Sequence, residues 1–368
     1  MQNKTKIAFV LGSLTSGGAE RVVTTLSNSF VEKYDVTIIT FKKSEPFYKL
    51  HDAINVVSCM EDIKPSKNLF NSLLLNFSLL RNLIKLLRAN NIDLVIGFIT
   101  MANVLTILSA KFLKIPCIVS ERNNPYIDAT PGFWKLCRKY TYPLANSLVV
   151  QTKLIKEFYS GLVDNDKIAV LPNPISPLLS DQRNFDADKE NIILNVGKLH
   201  DQKNQTLLIK AFNDIEYGDW KLYIIGEGQN RSILENLISE LGLRDNVFLL
   251  GRKNNIHDYY NKAKVFAFTS NYEGFPNALI EAMHFGLPCV STDCPTGPSE
   301  LITNGENGYL VPMDNKEELA KRLQLLISDA EIRTNFSSKS LNATKDFNIS
   351  TVLEKWENVI EYTLNNKK

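Results

Sequence analysis

Two glutamates separated by seven residues, Glu273 and Glu281 in "EGFPNALIE", bracket a Gly, a Pro and an Asn. The strand-like "KVFAFTS" precedes them, and "GFPNALIEAMHF" reads as a helix opening near Pro276, a residue tolerated in a first helical turn. Gly274, Phe275, Pro276 and Asn277 would then bring backbone N–H groups to the positive end of the helix, a ready phosphate site. Acids on both sides of an anion site suit a ligand that also carries hydroxyls, each carboxylate accepting from a sugar. The bland alternative is a capping Glu followed by an exposed one.

Other stretches could act on the same ligand. In "NVGKLHDQKNQTLLIKAF" a strand ends at Gly197 and leaves Lys198 and Lys203 in the following loop, where two cations would neutralise a diphosphate, or would merely be solvated. "IGEGQN" places Gly226 and Gly228 after a strand, but Arg231 stands where a dinucleotide fingerprint needs its third glycine, so hydride transfer is poorly supported. Gly17 and Gly18 in "GSLTSGGAERVV" lie between the first strand and a helix, suiting a close backbone approach to phosphate or sugar, or only a tight turn. The four histidines show no metal-ligand spacing, and neither HExxH nor GxSxG occurs, which sets aside metal hydrolysis and serine catalysis.

These residues need elements to hold them. Apolar, β-branched bursts ("KIAFVLG", "DVTIITF", "DLVIGF", "CIVSE", "SLVVQT") alternate with helical stretches near 19–33, 70–90 and 102–113. The second half repeats the rhythm with "NIILNVG", "WKLYIIG", "NVFLLG", "VFAFTS" and "PCVSTD", and helices near 204–214, 230–241, 255–263, 277–286 and 315–328. Continuously apolar strands between helices predict parallel sheets covered on both faces, hence two doubly wound α/β domains. Three prolines from Pro172 to Pro177 mark the seam. The expected division is 1–172, 173–345 and a terminal helix over 346–368, whose apolar stripe Val352, Leu353, Trp356, Val359 and Ile360 must dock.

Composition is that of a globular chain of 368 residues, 44% hydrophobic and 22% charged, long enough for two cores. Five cysteines without a CxxC pair, and an N-terminus lacking the apolar core of a signal peptide, lead us to expect a reducing, cytoplasmic setting. The net charge of +2 hides an imbalance: residues 1–172 carry +8 and the remainder −6. A basic front half suits phospholipid headgroups or a pyrophosphate-linked acceptor; with a near-neutral total and no binding module spelled out, nucleic acid is not expected. Residues 69–90 are rich in leucine but interrupted by Asn71, Ser72, Asn76, Ser78 and Arg81, too broken to span a membrane, and read as a buried or an interfacial helix. In "PGFWKLCRKYTYP", Trp134, Lys135, Arg138, Lys139, Tyr140 and Tyr142 interleave aromatics and cations as interface anchors do.

Taken in order along the chain, "SGGAERVV", "GKLHDQKN", "IGEGQN", "LLGRKNN", "EGFPNALIE" and "STDCPTGPSELITNGENGYLVP" resemble glycosyltransferase family 4, retaining sugar-nucleotide transferases of the GT-B fold, over essentially the whole chain. "SGGAERVV" and "FYKL" make it similar to bacterial enzymes that extend lipid-linked oligosaccharides, GalNAc transferases among them. The resemblance implies two Rossmann-like domains facing a cleft, the first for acceptor and the second for donor, with a C-terminal helix crossing back to the first. It implies that Glu281 binds the ribose, that Glu273 lies against the transferred hexose with Gly274, Phe275, Pro276 and Asn277, and that Lys198 and Lys203 take the diphosphate. Glu273, Lys198 and Lys203 are thus the catalytic candidates, and Gly17, Gly18, Gly226 and Arg252 further donor-side positions.

Two departures stand out. Lys198 occupies a position usually held by Arg, replacing a bidentate fork by a point charge. "VSERNNP" places Arg122 beside Glu121 where relatives often have His, so Arg122 either binds acceptor pyrophosphate or pairs with a carboxylate; Arg138 and Lys139 are further acceptor candidates. The implied activity moves a hexose or N-acetylhexosamine from a UDP-sugar to a polyprenyl-diphosphate-linked glycan, with no cofactor and no metal, peripherally on the inner face of the cytoplasmic membrane. A same-fold enzyme with a soluble acceptor, a sugar-nucleotide epimerase and a non-catalytic nucleotide-sugar scaffold are the alternatives.

Overall fold

The computed structural model describes residues 4–63, 68–127 and 130–366. The chain divides into two units, Met1–Pro174 with Ser350–Lys368, and Ile175–Ile349.

In the first unit the chain runs β1 (Lys6–Leu11), α1 (Gly18–Phe30), β2 (Asp35–Lys42), β3 (Asn55–Met60), α2 (Leu69–Ala89), β4 (Leu94–Phe98), α3 (Thr100–Leu113), β5 (Cys117–Ser120), α4 (Gly132–Thr141), β6 (Ser147–Val150), α5 (Lys153–Ser160) and β7 (Ile168–Val170). All strand pairs are parallel, in the order β3-β2-β1-β4-β5-β6-β7. Ile7 to Leu11 of β1 are at most 1% exposed because helices cover both faces, which is why the strand is apolar without alternation. Ala8, Val10 and Val95 face the layer of α2 and α3, while Ile7, Phe9 and Ile96 face α1. Strand order reverses between β1 and β4, so the loops after these strands flank the switch point at which such sheets bind ligands.

The second unit begins with the short α6 (Pro177–Asp181), then β8 (Ile192–Val196), α7 (Gln205–Asn213), β9 (Lys221–Ile225), α8 (Arg231–Glu240), β10 (Val247–Gly251), α9 (Ile256–Lys262), β11 (Val265–Phe268), α10 (Asn277–His284), β12 (Cys289–Thr292), α11 (Pro298–Leu301), β13 (Gly308–Val311), α12 (Lys316–Ser328) and α13 (Ala330–Ala343). Its parallel sheet has the order β10-β9-β8-β11-β12-β13 and reverses between β8 and β11.

The expected seam is displaced. Ile168–Val170, just before the proline-rich segment, is a strand hydrogen-bonded to β6, and the division falls after Pro174 rather than at 172. Residues through Ile349, rather than 345, belong to the second unit, where the Ile175 N–H donates to the Phe347 carbonyl at 2.9 Å. α14 (Ile349–Asn365) then packs on the first unit. Its Val352, Trp356 and Ile360 are fully buried, and the Trp356 ring stacks 6.0 Å from Phe98. Ser147 and Thr363 share a 2.7 Å hydroxyl hydrogen bond, and Lys33 bridges Glu357 and Glu361 at 2.9 and 3.0 Å.

The buried anchor of α14 gives a test. Trp356→Ala removes a fully buried indole and should cost about 3–5 kcal/mol, whereas Tyr362→Ala on the same helix, 48% exposed, should stay within about 0.5 kcal/mol. Urea denaturation of the two variants checks this; equal effects would contradict the docking described.

Candidate functional site

Six loops leave the C-terminal ends of strands in the second unit, and the two nearest the switch point meet through a charge pair. The loop after β8 carries Lys203 and the loop after β11 carries Glu273, with the ammonium Nζ 2.5 Å from the carboxylate Oε1. Both side chains are largely withdrawn from water, 20% and 7% exposed. The backbone between the loops is stitched. Asn271 N–H donates to the Gln202 carbonyl at 2.8 Å, its side-chain amide donates to the Asp201 carbonyl at 2.9 Å, and the Thr269 hydroxyl donates to the Lys203 carbonyl at 2.9 Å. Gln202 Nε2 donates to the Tyr272 carbonyl at 2.9 Å, and the Thr296 hydroxyl, from the loop after β12, donates to the carbonyl of Glu273 itself.

α10 opens at Asn277 with Pro276 as its cap residue and no side-chain cap, and its first turn follows directly on Glu273. Glu281, one turn further along the same helix, is 6% exposed, and the Tyr260 hydroxyl donates to its Oε2 at 3.1 Å. Phe275 is buried against Phe347, with ring centroids 6.2 Å apart. The bend before α10 requires a close neighbour: Gly297 has φ +113°, and a Cβ there would stand 2.4 Å from Pro276 Cδ.

The loops after β8, β9 and β10 touch through backbone. Gly197 N–H donates to the Ile225 carbonyl at 2.9 Å, Leu199 N–H to Glu227 at 3.1 Å, and Gly226 N–H to Gly251 at 3.0 Å. Gly226 has φ +148°, and a Cβ on it would lie 1.9 Å from the Gly197 carbonyl oxygen, so no other residue fits. Arg231, in place of a third glycine, is committed to Glu227 and Glu235 at 2.7 and 2.8 Å. Lys198 and Arg252 are exposed on the rim of these loops. Burial pushes the Cys294 thiol, which also feels Glu273, up to about 12, so it is a neutral thiol at pH 7.

The remaining sequence candidates lie in the first unit. Gly17 caps α1 with φ −167°, extended backbone that any residue adopts, and only the flexible Glu20 carboxylate stands where its Cβ would go; Gly18 is the first residue of that helix. Arg138 is a correction: it is buried, with its guanidinium 5.9 and 5.8 Å from the Phe158 and Tyr159 ring centroids, and is not an exposed anchor. Tyr142 is fully buried too, its hydroxyl donating to Glu121 at 2.7 Å and accepting from Asn103 at 2.9 Å. Lys139 is exposed.

Arg122 pairs with no carboxylate among the described residues. Glu121 Oε1 accepts from the backbone N–H of Arg122 and Asn123, and Oε2 from the hydroxyls of Thr100 and Tyr142. The guanidinium Nη1 instead donates to Asn173 Oδ1 at 2.5 Å, and its plane lies 4.9 Å from the Phe98 ring. Nε and Nη2 are buried without a partner among the described residues. Burial lowers Arg122 to about 9, so it remains cationic at pH 7.

Sequence reasoning missed Gln202, Thr269, Tyr260, Thr296 and Gly297, which hold the acids and cations in place. Thr296 and Gly297 did lie in the quoted "STDCPTGPSE"; nothing in the types of the others announces their contacts.

Two doubly wound parallel sheets, each in its own unit, are the GT-B architecture. Residues 16–177 match the family model described as Glycosyltransferase Family 4, and residues 179–342 the model described as Glycosyl transferases group 1. The chain is 34% identical over 361 residues, covering 96% of itself and 98% of the relative, to the GalNAc-alpha-(1->4)-GalNAc-alpha-(1->3)-diNAcBac-PP-undecaprenol alpha-1,4-N-acetyl-D-galactosaminyltransferase of Campylobacter jejuni. A second protein of that organism, the N-acetylgalactosamine-N,N'-diacetylbacillosaminyl-diphospho-undecaprenol 4-alpha-N-acetylgalactosaminyltransferase, is 32% identical over 356 residues, 93% of this chain and 95% of the relative. The pneumococcal O-GlcNAc transferase GtfA, solved with UDP and GlcNAc, superposes with a TM-score of 0.80 over 99% of this chain and 100% of that one; at 16% identity it speaks for the fold. The chain belongs to glycosyltransferase family 4.

The loop packing separates two glycines. Gly226→Ala should lower stability by at least about 2 kcal/mol, through strained φ and backbone collision, while Gly17→Ala should change it by less than about 0.5 kcal/mol. Differential scanning calorimetry of both variants measures this, and an innocuous Gly226→Ala would contradict the packing.

Proposed function

We propose that this glycosyltransferase moves an N-acetylhexosamine such as GalNAc, or a hexose, from a UDP-sugar to a polyprenyl-diphosphate-linked glycan. The transfer retains the anomeric configuration, requires no metal, and occurs at the inner face of the cytoplasmic membrane. The observation that carries the donor half is the Lys203–Glu273 pair at the switch point, immediately before an uncapped helix that bears the buried Glu281. Glu281 would accept from the ribose hydroxyls and Glu273 from the hexose, with the α10 start and Lys198 and Lys203 on the diphosphate between them. Support for UDP comes from the nucleotide in the pneumococcal structure, and for the acceptor from the undecaprenol-linked substrates in the names of the two Campylobacter relatives. Arg122, whose Nε and Nη2 have no partner among the described residues, is the acceptor-side candidate for a phosphate.

In the proposed reaction the bond from the anomeric carbon to the β-phosphate oxygen breaks. A bond to the acceptor oxygen forms on the same face, through an oxocarbenium-like state. The acceptor's proton passes to the departing phosphate oxygen. Fixed cations stabilise the charge that develops on the diphosphate, and the remaining contribution is positioning.

Thermal melts against UDP, GDP, ADP and their sugar conjugates in EDTA test this reading. A UDP-sugar should raise Tm; no shift with any nucleotide contradicts it. Glu281→Ala should weaken donor binding by about 10–100-fold, the loss of hydrogen bonds to a charged group, and Glu273→Ala should lower kcat more than it raises KM. Unchanged kinetics in both would overturn the assignment of the two acids.

A further inference from the structure

α2, α3 and α4 are successive neighbours in one helical layer of the first unit. Together they contain seven Lys and Arg and no Asp or Glu. Six of the seven cations are exposed, Arg138 being the exception. The same 45 helical residues hold nine of the twenty large apolar side chains exposed among the described residues, so the apolar surface is gathered here rather than scattered. α2 shows the pattern along a single stripe: Phe70, Leu74 and Phe77 lie outward in its first half, and Arg81, Lys85 and Arg88 continue that stripe in its second. Meanwhile its Leu79, Leu83 and Leu87 are at most 1% exposed and serve the core, so α2 is apolar on two faces. α3 adds Lys111 and Phe112, and α4 adds Leu136, Lys139 and Tyr140, all exposed.

We propose that the outer faces of α2, α3 and α4 form one docking surface for an anionic lipid bilayer. An acid-free field of cations complements anionic headgroups, and aromatic and leucine side chains interleaved with those cations can enter the interface without leaving a carboxylate to desolvate. None of the described helices is long and apolar enough to cross a membrane, so contact through this face is peripheral. A second copy of the chain fits poorly, because a symmetric pairing would set cations against cations. The surface rests on the membrane-facing reading above but is separate from the donor-site residues, and it enlarges the 131–143 patch to which the sequence pointed.

Flotation of the full chain with vesicles of phosphatidylcholine alone, or of phosphatidylcholine with phosphatidylglycerol, tests the surface. Binding is expected only with phosphatidylglycerol, should weaken as salt rises, and should fall about tenfold or more in Phe70→Ser/Phe77→Ser and separately in Lys85→Glu/Arg88→Glu. Both pairs of substitutions are at exposed positions and should leave Tm and the UDP-induced shift unchanged. Absence of wild-type binding, equal binding to both vesicle types, or undiminished binding of the variants overturns the proposal. So does a wild-type dimer that these variants convert to monomer, which would make the occupant a second copy. A protein that binds vesicles but no nucleotide would overturn the transferase reading and leave this surface standing.

Discussion

The second unit is organised around a charge pair that its own surroundings make expensive to separate. Glu273 is almost wholly buried and Lys203 four-fifths so; a lone charge in such a place costs about 3–5 kcal/mol. Each is therefore held by the other until something with matching charge and hydroxyl chemistry replaces the partner. A diphosphate can take the ammonium and a sugar hydroxyl the carboxylate, which is what a nucleotide-sugar offers. The surrounding hydrogen bonds from Asn271, Thr269, Gln202 and Thr296 tie together the backbone that carries both charges.

The same economy of space shapes the neighbouring loops. Gly226 rests on the Gly197 carbonyl and Gly297 on Pro276, so the loops after β8 and β9, and those after β11 and β12, approach closer than any side chain permits. In the first unit the tension is different. Glu121 is saturated by four donors, while Arg122, one residue on, keeps Nε and Nη2 without partners among the described residues, its guanidinium against the Phe98 ring. A buried cation with unused donors is a cost unless an anion completes it.

Much of this was legible in the residues. The apolar bursts of β1, β2, β4 to β6 and β8 to β12 could be read because strands covered on both faces need no alternation. β3 escaped because its first half is exposed and mixed, and β7 because three residues just before a run of prolines carry no period. α13 is polar around most of its circumference and gave no stripe. Glu273, Glu281 and Lys203 could be singled out because they lie beside strand ends in an ordered set of motifs, and the structure brings Lys203 and Glu273 into contact. Tyr260 and Thr296 were not, since their contribution is a hydroxyl aimed by tertiary packing. The Trp134 to Tyr142 segment misled in part: its alternation of rings and cations is the same whether a guanidinium faces water or, as for Arg138, stacks on Phe158 and Tyr159.

The most direct measurement is a crystal structure of the protein with an intact UDP-sugar. The account predicts the ribose on Glu281, the diphosphate at the α10 start with Lys198 and Lys203, and the sugar beside Glu273, with the Lys203–Glu273 contact replaced by contacts to the ligand. Nucleotide bound away from α10, or bound there with that ion pair untouched, would contradict it.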